Sequence, residues 1–277
     1  MTDLTGRAYL VTGATSGIGR ATAEELARRG GTVVLACRSE ERAKATIGSL
    51  QRATGSTSIF FVPLDLADLA SVRAAARSFC GLGLPLHVLV NNAGIGGVRG
   101  VTRDGFELAF GTNHLGHFLL TNLLLDQLRA AAPARVVTVA SDSHYHARGI
   151  DFDALRRPTR FTARAEYAMS KLCNVLFTQE LARREGPNGV SAFAVHPGVV
   201  ATGIWKRVPW PARSILMRTM LSATEGARTS LYCATEPGLE AYNGGYFHDC
   251  TACAPSPVAT PELAAALWRF SEECVRT

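Results

Sequence analysis

Tyr167 and Lys171 stand four residues apart in the run EYAMSKLCNVLFTQELARR. Four residues is about one turn of a helix, so both side chains leave the same face. A phenol on that face can pass a proton to a carbonyl oxygen. A neighbouring ammonium favours the phenolate, because a nearby positive charge stabilises the ionised form. A free phenol titrates near 10 and needs such help to exchange protons near neutrality. The pair alone arises by chance in many helices, and a second pattern gives it weight. The run Thr12-Gly13-Ala14-Thr15-Ser16-Gly17-Ile18-Gly19 follows an apolar stretch and opens a helix-like one. Its spacing is Gly-x-x-x-Gly-x-Gly, not the commonest dinucleotide fingerprint. Glycines there let the backbone turn tightly and approach a pyrophosphate. A helix opening at that point offers free N–H groups and the positive end of its dipole.

The elements that must carry these residues alternate along the chain. The sequence predicts strands at Ala8–Thr12, Thr32–Cys37, Ile59–Val62, His87–Val90, Arg135–Val139 and Val190–Val195, with a last short one at Gly245–His248. Helices are predicted over Ile18–Arg29, Glu40–Ala53, Leu69–Phe79, roughly Phe106–Leu128, Ala163–Arg184 and Thr224–Thr235. Strands apolar on both faces, each followed by a helix, mean a parallel sheet covered on both sides. The expected fold class is α/β: a single Rossmann-type doubly wound parallel sheet with helices on both faces. One domain is expected over residues 1–277, because no linker, repeat or low-complexity stretch divides the chain.

The composition is that of a globular enzyme-sized chain: 277 residues, 47% hydrophobic and 19% charged. The net charge of +6 comes from dispersed basic residues. That argues against a nucleic-acid footprint, and a nucleotide phosphate is a sufficient anionic partner. Seven cysteines lack the spacing of a disulfide framework and read as reduced, which points to a cytoplasmic protein. No signal peptide is expected, and no apolar run reaches the ~20 residues needed to cross a bilayer. His248-x-Cys250-x-x-Cys253 lacks a fourth ligand at zinc spacing, so no metal is expected. His114 and His117 read as packing or capping groups. His144 and His146 read as lining a substrate entrance or as simply exposed.

Five ordered motifs resemble the short-chain dehydrogenase/reductase family over essentially the whole chain. TGATSGIG resembles its cofactor loop, and Asn91-Asn92-Ala93-Gly94 its segment after the fourth strand. Asn113, Ser141, Tyr167 and Lys171 fall where the family carries a catalytic tetrad. His196-Pro197-Gly198 resembles its Pro-Gly turn. LACRSEERA, TRDGFELAFGTNHLGHFLLTNLLL, SKLCNVLFTQELARR and VHPGVV look like the retinol dehydrogenase-like branch. Light-dependent protochlorophyllide reductases share the GTNHLGHFLL wording. Membrane-bound retinol dehydrogenases usually carry an N-terminal anchor, and none is expected here.

The resemblance implies an oxidoreductase that moves a hydride between a nicotinamide and a carbonyl or alcohol. Tyr167 is then the general acid for reduction and the base for oxidation. Lys171 adds positive charge and binds the nicotinamide ribose, Ser141 holds the substrate oxygen, and Asn113 holds a water in a proton relay. Cofactor contacts are implied for Gly13, Thr15, Ser16, Gly17, Ile18, Gly19, Asp65, Leu66, Asn91, Ala93, Gly94, Tyr167, Lys171, Pro197, Gly198, Val200 and Thr202. Asp65 serves equally as a helix cap. The choice between cofactors follows from charge. NAD sites place an acid at the end of the second strand. Here that strand runs Ala36-Cys37-Arg38-Ser39, with no acid before Glu40. An arginine fork matches a 2′-phosphate and Ser39 adds a hydroxyl, so NADP(H) is expected.

A substrate lid is expected around 201–222, where Ile204, Trp205, Val208, Trp210, Ile215, Leu216, Met217, Met220 and Leu221 interleave with Lys206, Arg207, Arg213 and Arg218. An apolar lid suits a small lipophilic carbonyl or alcohol. The same residues equally suit a subunit contact or a membrane-facing surface. A light-driven protochlorophyllide-type double-bond reductase is one alternative, but the chain lacks the long insertion expected near the tetrad. A non-catalytic NADP(H)-binding sensor is another, but it has no need of Tyr167. The run FLLTNLLL and the helix around Leu172–Leu181 are apolar on more sides than one sheet face can cover, which predicts a homodimer or homotetramer. The other way to cover them is a terminal helix over Pro261–Cys274, striped by Leu263, Leu267 and Phe270.

Overall fold

Successive side chains of a strand point to opposite faces of a sheet, and here both faces are apolar. From β1 (Ala8–Thr12) and β2 (Thr32–Cys37), Tyr9, Val11, Val33 and Leu35 enter one core, while Leu10, Val34 and Ala36 enter another. Each core needs its own layer of helices. A computed structural model describes residues 2–157, 163–200 and 220–276 and contains both layers. One face is covered by α1 (Gly17–Arg28), α2 (Glu40–Thr54) and a later helix, Ala223–Thr235. The other face carries α3 (Leu69–Gly81) and the helices that follow β4 and β5.

The remaining strands are β3 (Ile59–Pro63), β4 (Val88–Asn91), β5 (Ala134–Val139), β6 (Val190–His196), β7 (Tyr246–His248) and β8 (Thr251–Cys253). The sheet order is β3-β2-β1-β4-β5-β6-β7-β8. The chain begins in the middle at β1, runs out to β3 and returns to β4. That reversal leaves a crevice at the carboxyl ends of β1 and β4, the place where such sheets bind ligands. Every pairing is parallel except β7 with β8. The edge strand β8 is an addition to the sequence-based expectation. Its hairpin turns at Asp249-Cys250, with φ of 46° and 59°. Two positive φ values in a two-residue turn are ordinarily signalled by Asn-Gly or Asp-Gly, which this chain lacks there.

The helix expected over Phe106–Leu128 is instead four pieces. They are α4 (Leu108–Phe110), a π turn (Gly111–Leu115), α5 (Gly116–Leu123) and α6 (Leu125–Ala130). The Glu107 carboxylate closes the start by accepting the N–H groups of Ala109 and Phe110. The π turn inserts one extra residue per turn, at the position of Asn113. The tyrosine–lysine helix is α7 (Arg164–Glu185), Ala223–Thr235 is α8, and the chain closes with α9 (Pro261–Val275).

Helix α9 lies across α5 and α7. Trp268 stacks on Phe177 with ring centroids 5.9 Å apart and meets Phe118 edge-on at 5.0 Å. The Arg184 guanidinium lies 4.5 Å from the Trp268 ring centre. His114 joins its Nε2 to Ser271 Oγ at 3.0 Å. Phe118 is buried against Trp268, and Leu119 and Leu120 are buried in the same core. Part of the apolar surface that predicted pairing between chains, at Phe118 and Phe177, is covered by the terminal helix, while Leu123 stays exposed. Among the described residues, no helix is long and apolar enough to cross a membrane.

Removing the indole leaves a cavity between two helices and strips Phe118 and Phe177 of their partner. Trp268→Ala is expected to lower the unfolding free energy by about 3–5 kcal/mol. Urea denaturation followed by far-UV circular dichroism measures it; a loss below about 1 kcal/mol would show that α9 is only loosely docked.

Candidate active site

At the head of the crevice the chain leaves β1 through Gly13, whose φ is 69°. A Cβ there would stand 2.9 Å from Ala93 Cα, and one on Gly19 would stand 2.3 Å from Asn92 Nδ2. No side chain fits at either point, so the backbone of the loop lies bare. The helix that follows is also open. Ser16 precedes α1 in an extended conformation and its hydroxyl makes no capping bond. In contrast Ser39, Asp68, Ser222 and Thr260 close the N-termini of α2, α3, α8 and α9 with their side chains. The free N–H groups of α1 and the half-buried Thr15, Gly17 and Ile18 form a cradle that fits a pyrophosphate.

The cradle is bound to the end of β4 by polar contacts. Thr12 Oγ1 accepts the N–H groups of Asn92 and Ala93, each at 2.9 Å. Asn92 Nδ2 donates to the Thr12 carbonyl at 2.8 Å. With both lone pairs filled, the Thr12 hydroxyl donates its proton, and His117 Nε2 lies 2.8 Å away to receive it. His117 Nδ1 then carries the ring proton and donates it to the Asn113 carbonyl at 3.0 Å. Burial holds His117 neutral, pushed down to about 4, and His114 to about 3. Asn91 does not offer its side chain to the crevice. It is 1% exposed, and its amide donates to Thr121 Oγ1 of α5.

The structure brings Ser141, Tyr167, Lys171 and Asn113 to one corner. Ser141 caps a 3₁₀ turn (Asp142–His146), and its Oγ accepts the Ser143 N–H at 3.2 Å. Burial raises the Tyr167 phenol above its ordinary value, a hydrogen bond from Ser141 opposes that, and the Asp142 charge adds to it. The phenol therefore carries its proton at neutral pH. The Lys171 ammonium is buried, donates to the Val139 carbonyl at 2.8 Å and stands 5.6 Å from the Tyr167 ring centre. Burial pushes it down to about 8. Gly94 closes the corner: a Cβ there would meet Asn113 Oδ1 at 3.4 Å and Lys171 Nζ at 3.6 Å.

Asn113 is held through its side-chain amide. Its Oδ1 accepts the Ile95 N–H at 2.8 Å, and its Nδ2 donates to the Ile95 carbonyl and to Ser170 Oγ, both at 2.9 Å. The amide is thus engaged in clamping the loop after β4 to α7. Ser170 Oγ in turn donates to the Tyr167 carbonyl at 2.8 Å. His144 differs from expectation. It is fully buried and not at an entrance, whereas His146 is exposed.

The outer cofactor positions are mixed. Arg38 is exposed beyond β2 with no ion pair among the described residues, ready to meet an anion. Ser39 is engaged in capping α2 through Arg42 N. Asp65 accepts the Ala67 N–H at 3.0 Å and does not cap α3, which Asp68 does; Leu66 is buried and leaves only its backbone. Pro197 and Gly198 lie half-buried after β6, and Val200 forms an isolated bridge with Leu221. Thr202 and residues 201–219 of the expected lid lie outside the described residues. The sequence reading missed Thr12, Asn92, His117 and Ser170 as positioning groups. The polar residues in an apolar helix, Asn113 and His117 at one-turn spacing, were the available signal.

A family model described as short chain dehydrogenase matches residues 7–211. Retinol dehydrogenase 11 of Homo sapiens is 43% identical, over 97% of this chain and 86% of its own length. Dehydrogenase/reductase SDR family member 13 of Homo sapiens is 46% identical, over 98% of this chain and 74% of its own length. A solved structure of an uncharacterized protein from Mycobacterium Paratuberculosis superposes with a TM-score of 0.80 at 36% identity, over 100% of this chain and 96% of its own.

Lys171 is charged below about 8 and neutral above it, so its attraction for an anionic dinucleotide is present at low pH and lost as pH rises. NADPH affinity is expected to weaken as pH rises through about 8, and Lys171→Met is expected to remove that step. Fluorescence titration between pH 6.5 and 9.5 measures it, and an affinity flat through that range in the unsubstituted protein would refute it.

Proposed function

The chain belongs to the short-chain dehydrogenase family, and on that premise we propose an NADP(H)-dependent oxidoreductase that interconverts a carbonyl and an alcohol on a small lipophilic substrate. The observation that carries this reading is the meeting of Ser141, Tyr167 and Lys171 beside Gly94, at the mouth of a crevice whose other wall is the bare glycine cradle. When bound, the cofactor supplies or accepts the hydride. Tyr167 gives its proton to the carbonyl oxygen, and its raised phenol supports the acid role at neutral pH. Ser141 donates a hydrogen bond to the same oxygen. Lys171 stabilises the phenolate that remains, and Asn113 holds the Ile95 loop and Ser170 in place beneath it. In the oxidising direction the same groups work in reverse.

Arg38 supports NADP(H) over NAD(H), because it is exposed, with no ion pair among the described residues, where an acid would otherwise bind a ribose diol. The lipophilic substrate rests on the apolar sequence of 201–222, read as a lid, and on the exposed Val199 and Leu221 at its two ends. A homodimer or homotetramer stays the expected assembly, with the surface for it narrowed: α9 takes up Phe118 and Phe177, and Leu123 of α5 stays exposed. Seven free cysteines support a reducing, cytoplasmic setting.

Tyr167→Phe is expected to cut turnover by roughly 10²–10⁴-fold while leaving NADPH binding nearly intact. An NADPH-oxidation screen against aldehydes, ketones and quinones reads it out, and turnover that survives the substitution refutes the acid role. Arg38→Asp is expected to shift the ratio of kcat/KM for NADPH over NADH toward NADH. Loss of hydrogen bonds to a charged group costs about 1.5–3 kcal/mol, roughly 10–150-fold. An unmoved ratio would remove Arg38 from the cofactor site.

A further inference from the structure

The Ser141 carbonyl and the Asp142 N–H belong to one peptide unit, and a histidine holds each end. His144 Nδ1 lies 2.6 Å from the Ser141 carbonyl, and the Asp142 N–H donates to His196 Nδ1 at 3.3 Å. The partners fix the protons. His144 Nε2 accepts the N–H of Ser256 at 3.0 Å, so its proton is on Nδ1 and goes to Ser141. His196 accepts at Nδ1, so its proton is on Nε2. Two neutral imidazoles of opposite tautomer therefore grip both polar groups of one peptide. They reach it from different directions. His144 sits in the 3₁₀ turn between the rings of Tyr145 and Tyr246, with centroids 4.0 and 4.7 Å away. His196 ends β6, directly before Pro197. The peptide they hold fixes ψ of Ser141 at 155°, and with it the side of the turn on which the hydroxyl emerges.

We propose that His196 and His144 are positioning residues, which orient the Ser141–Asp142 peptide so that the Ser141 hydroxyl faces Tyr167 and the substrate oxygen. The role rests on the oxidoreductase reading above. It also makes the site sensitive to acid. A proton on His196 Nδ1 would set one N–H against another and release Asp142. Several groups face that ring: Asp142 from its own turn, 3.7 Å from Nε2; His248 from β7, 4.7 Å between centroids; His144; and Lys171 from α7. Burial is the largest influence and keeps His196 neutral, pushed down to about 4; His144 is lowered by the same cause. The grip is thus present above His196's own titration and lost as pH falls through it.

Two substitutions separate the acceptor from the ring. His196→Asn keeps an oxygen near the Nδ1 position but cannot titrate, and His196→Phe keeps the ring shape without an acceptor. Loss of that contact is expected to lower kcat by roughly 10-fold in the Phe variant, with NADPH affinity and KM for NADPH unchanged. The Asn variant is expected to recover most of the loss and to lack the His196 part of the acid limb. Wild-type kcat in the Phe variant, or an equal fall in both, would overturn the proposal. ¹⁵N chemical shifts of the imidazoles in the unsubstituted protein give a readout independent of turnover. His196 protonated on Nδ1, or His144 on Nε2, overturns the positioning role alone. A wild-type protein that oxidises NADPH with no carbonyl overturns the oxidoreductase reading and this role with it.

Discussion

β1 and β4 are neighbours in the sheet, and their ends are joined through the hydroxyl of Thr12, which takes the N–H groups of Asn92 and Ala93 and gives its own proton to His117. Those two N–H groups lie just beyond the last ladder bonds of β4, in a half-buried turn where leaving a donor unpaired is costly. The contact therefore fixes the width of the crevice as well as satisfying the backbone. Gly13 and Gly19 have to be bare because the Asn92–Ala93 turn is drawn this close. Asn113 has its carbonyl on His117 and its amide on Ile95, so the same linkage reaches from the glycine cradle to the floor beneath Tyr167.

Buried polar groups in this corner are more numerous than a plain hydrophobic core would tolerate, and Asn113, His117, Ser170 and Lys171 all have partners. Lys171 is the costliest. Its ammonium sits out of water with a carbonyl for company, and its depressed titration measures that cost. A buried lysine that titrates near 8 responds to a negative charge brought beside it, because its neutral fraction takes up a proton. The surrounding scaffold meets this cost through two full apolar layers, the second completed only by α9.

The central strands were legible because they are apolar on both faces, and β2 falls at the residues its composition picks out. The glycine cradle and the Tyr167–Lys171 face were legible because each pattern gives weight to the other. What the sequence concealed was local. The break of Phe106–Leu128 into pieces depends on a π turn that has no propensity signature. The β7–β8 hairpin uses Asp-Cys in place of a glycine turn. Apolar excess on α5 and α7 announced that something must cover them but could not say whether a second chain or the chain's own terminal helix would do so. Asn113 was found through the family resemblance, while the destination of its amide depends on Ile95 and Ser170, which no one-dimensional pattern links to it.

The position of α9 has a consequence for how the molecule is made. This helix follows every element it covers in chain order. At roughly 5–20 residues per second of translation, the faces of α5 and α7 wait several seconds for it to emerge. During that time Phe118, Phe177 and the leucines beside them present a sticky surface on the nascent chain, of the kind that recruits chaperones or nucleates aggregates. Biogenesis, more than equilibrium stability, is therefore the stage at which damage to α9 would first be felt.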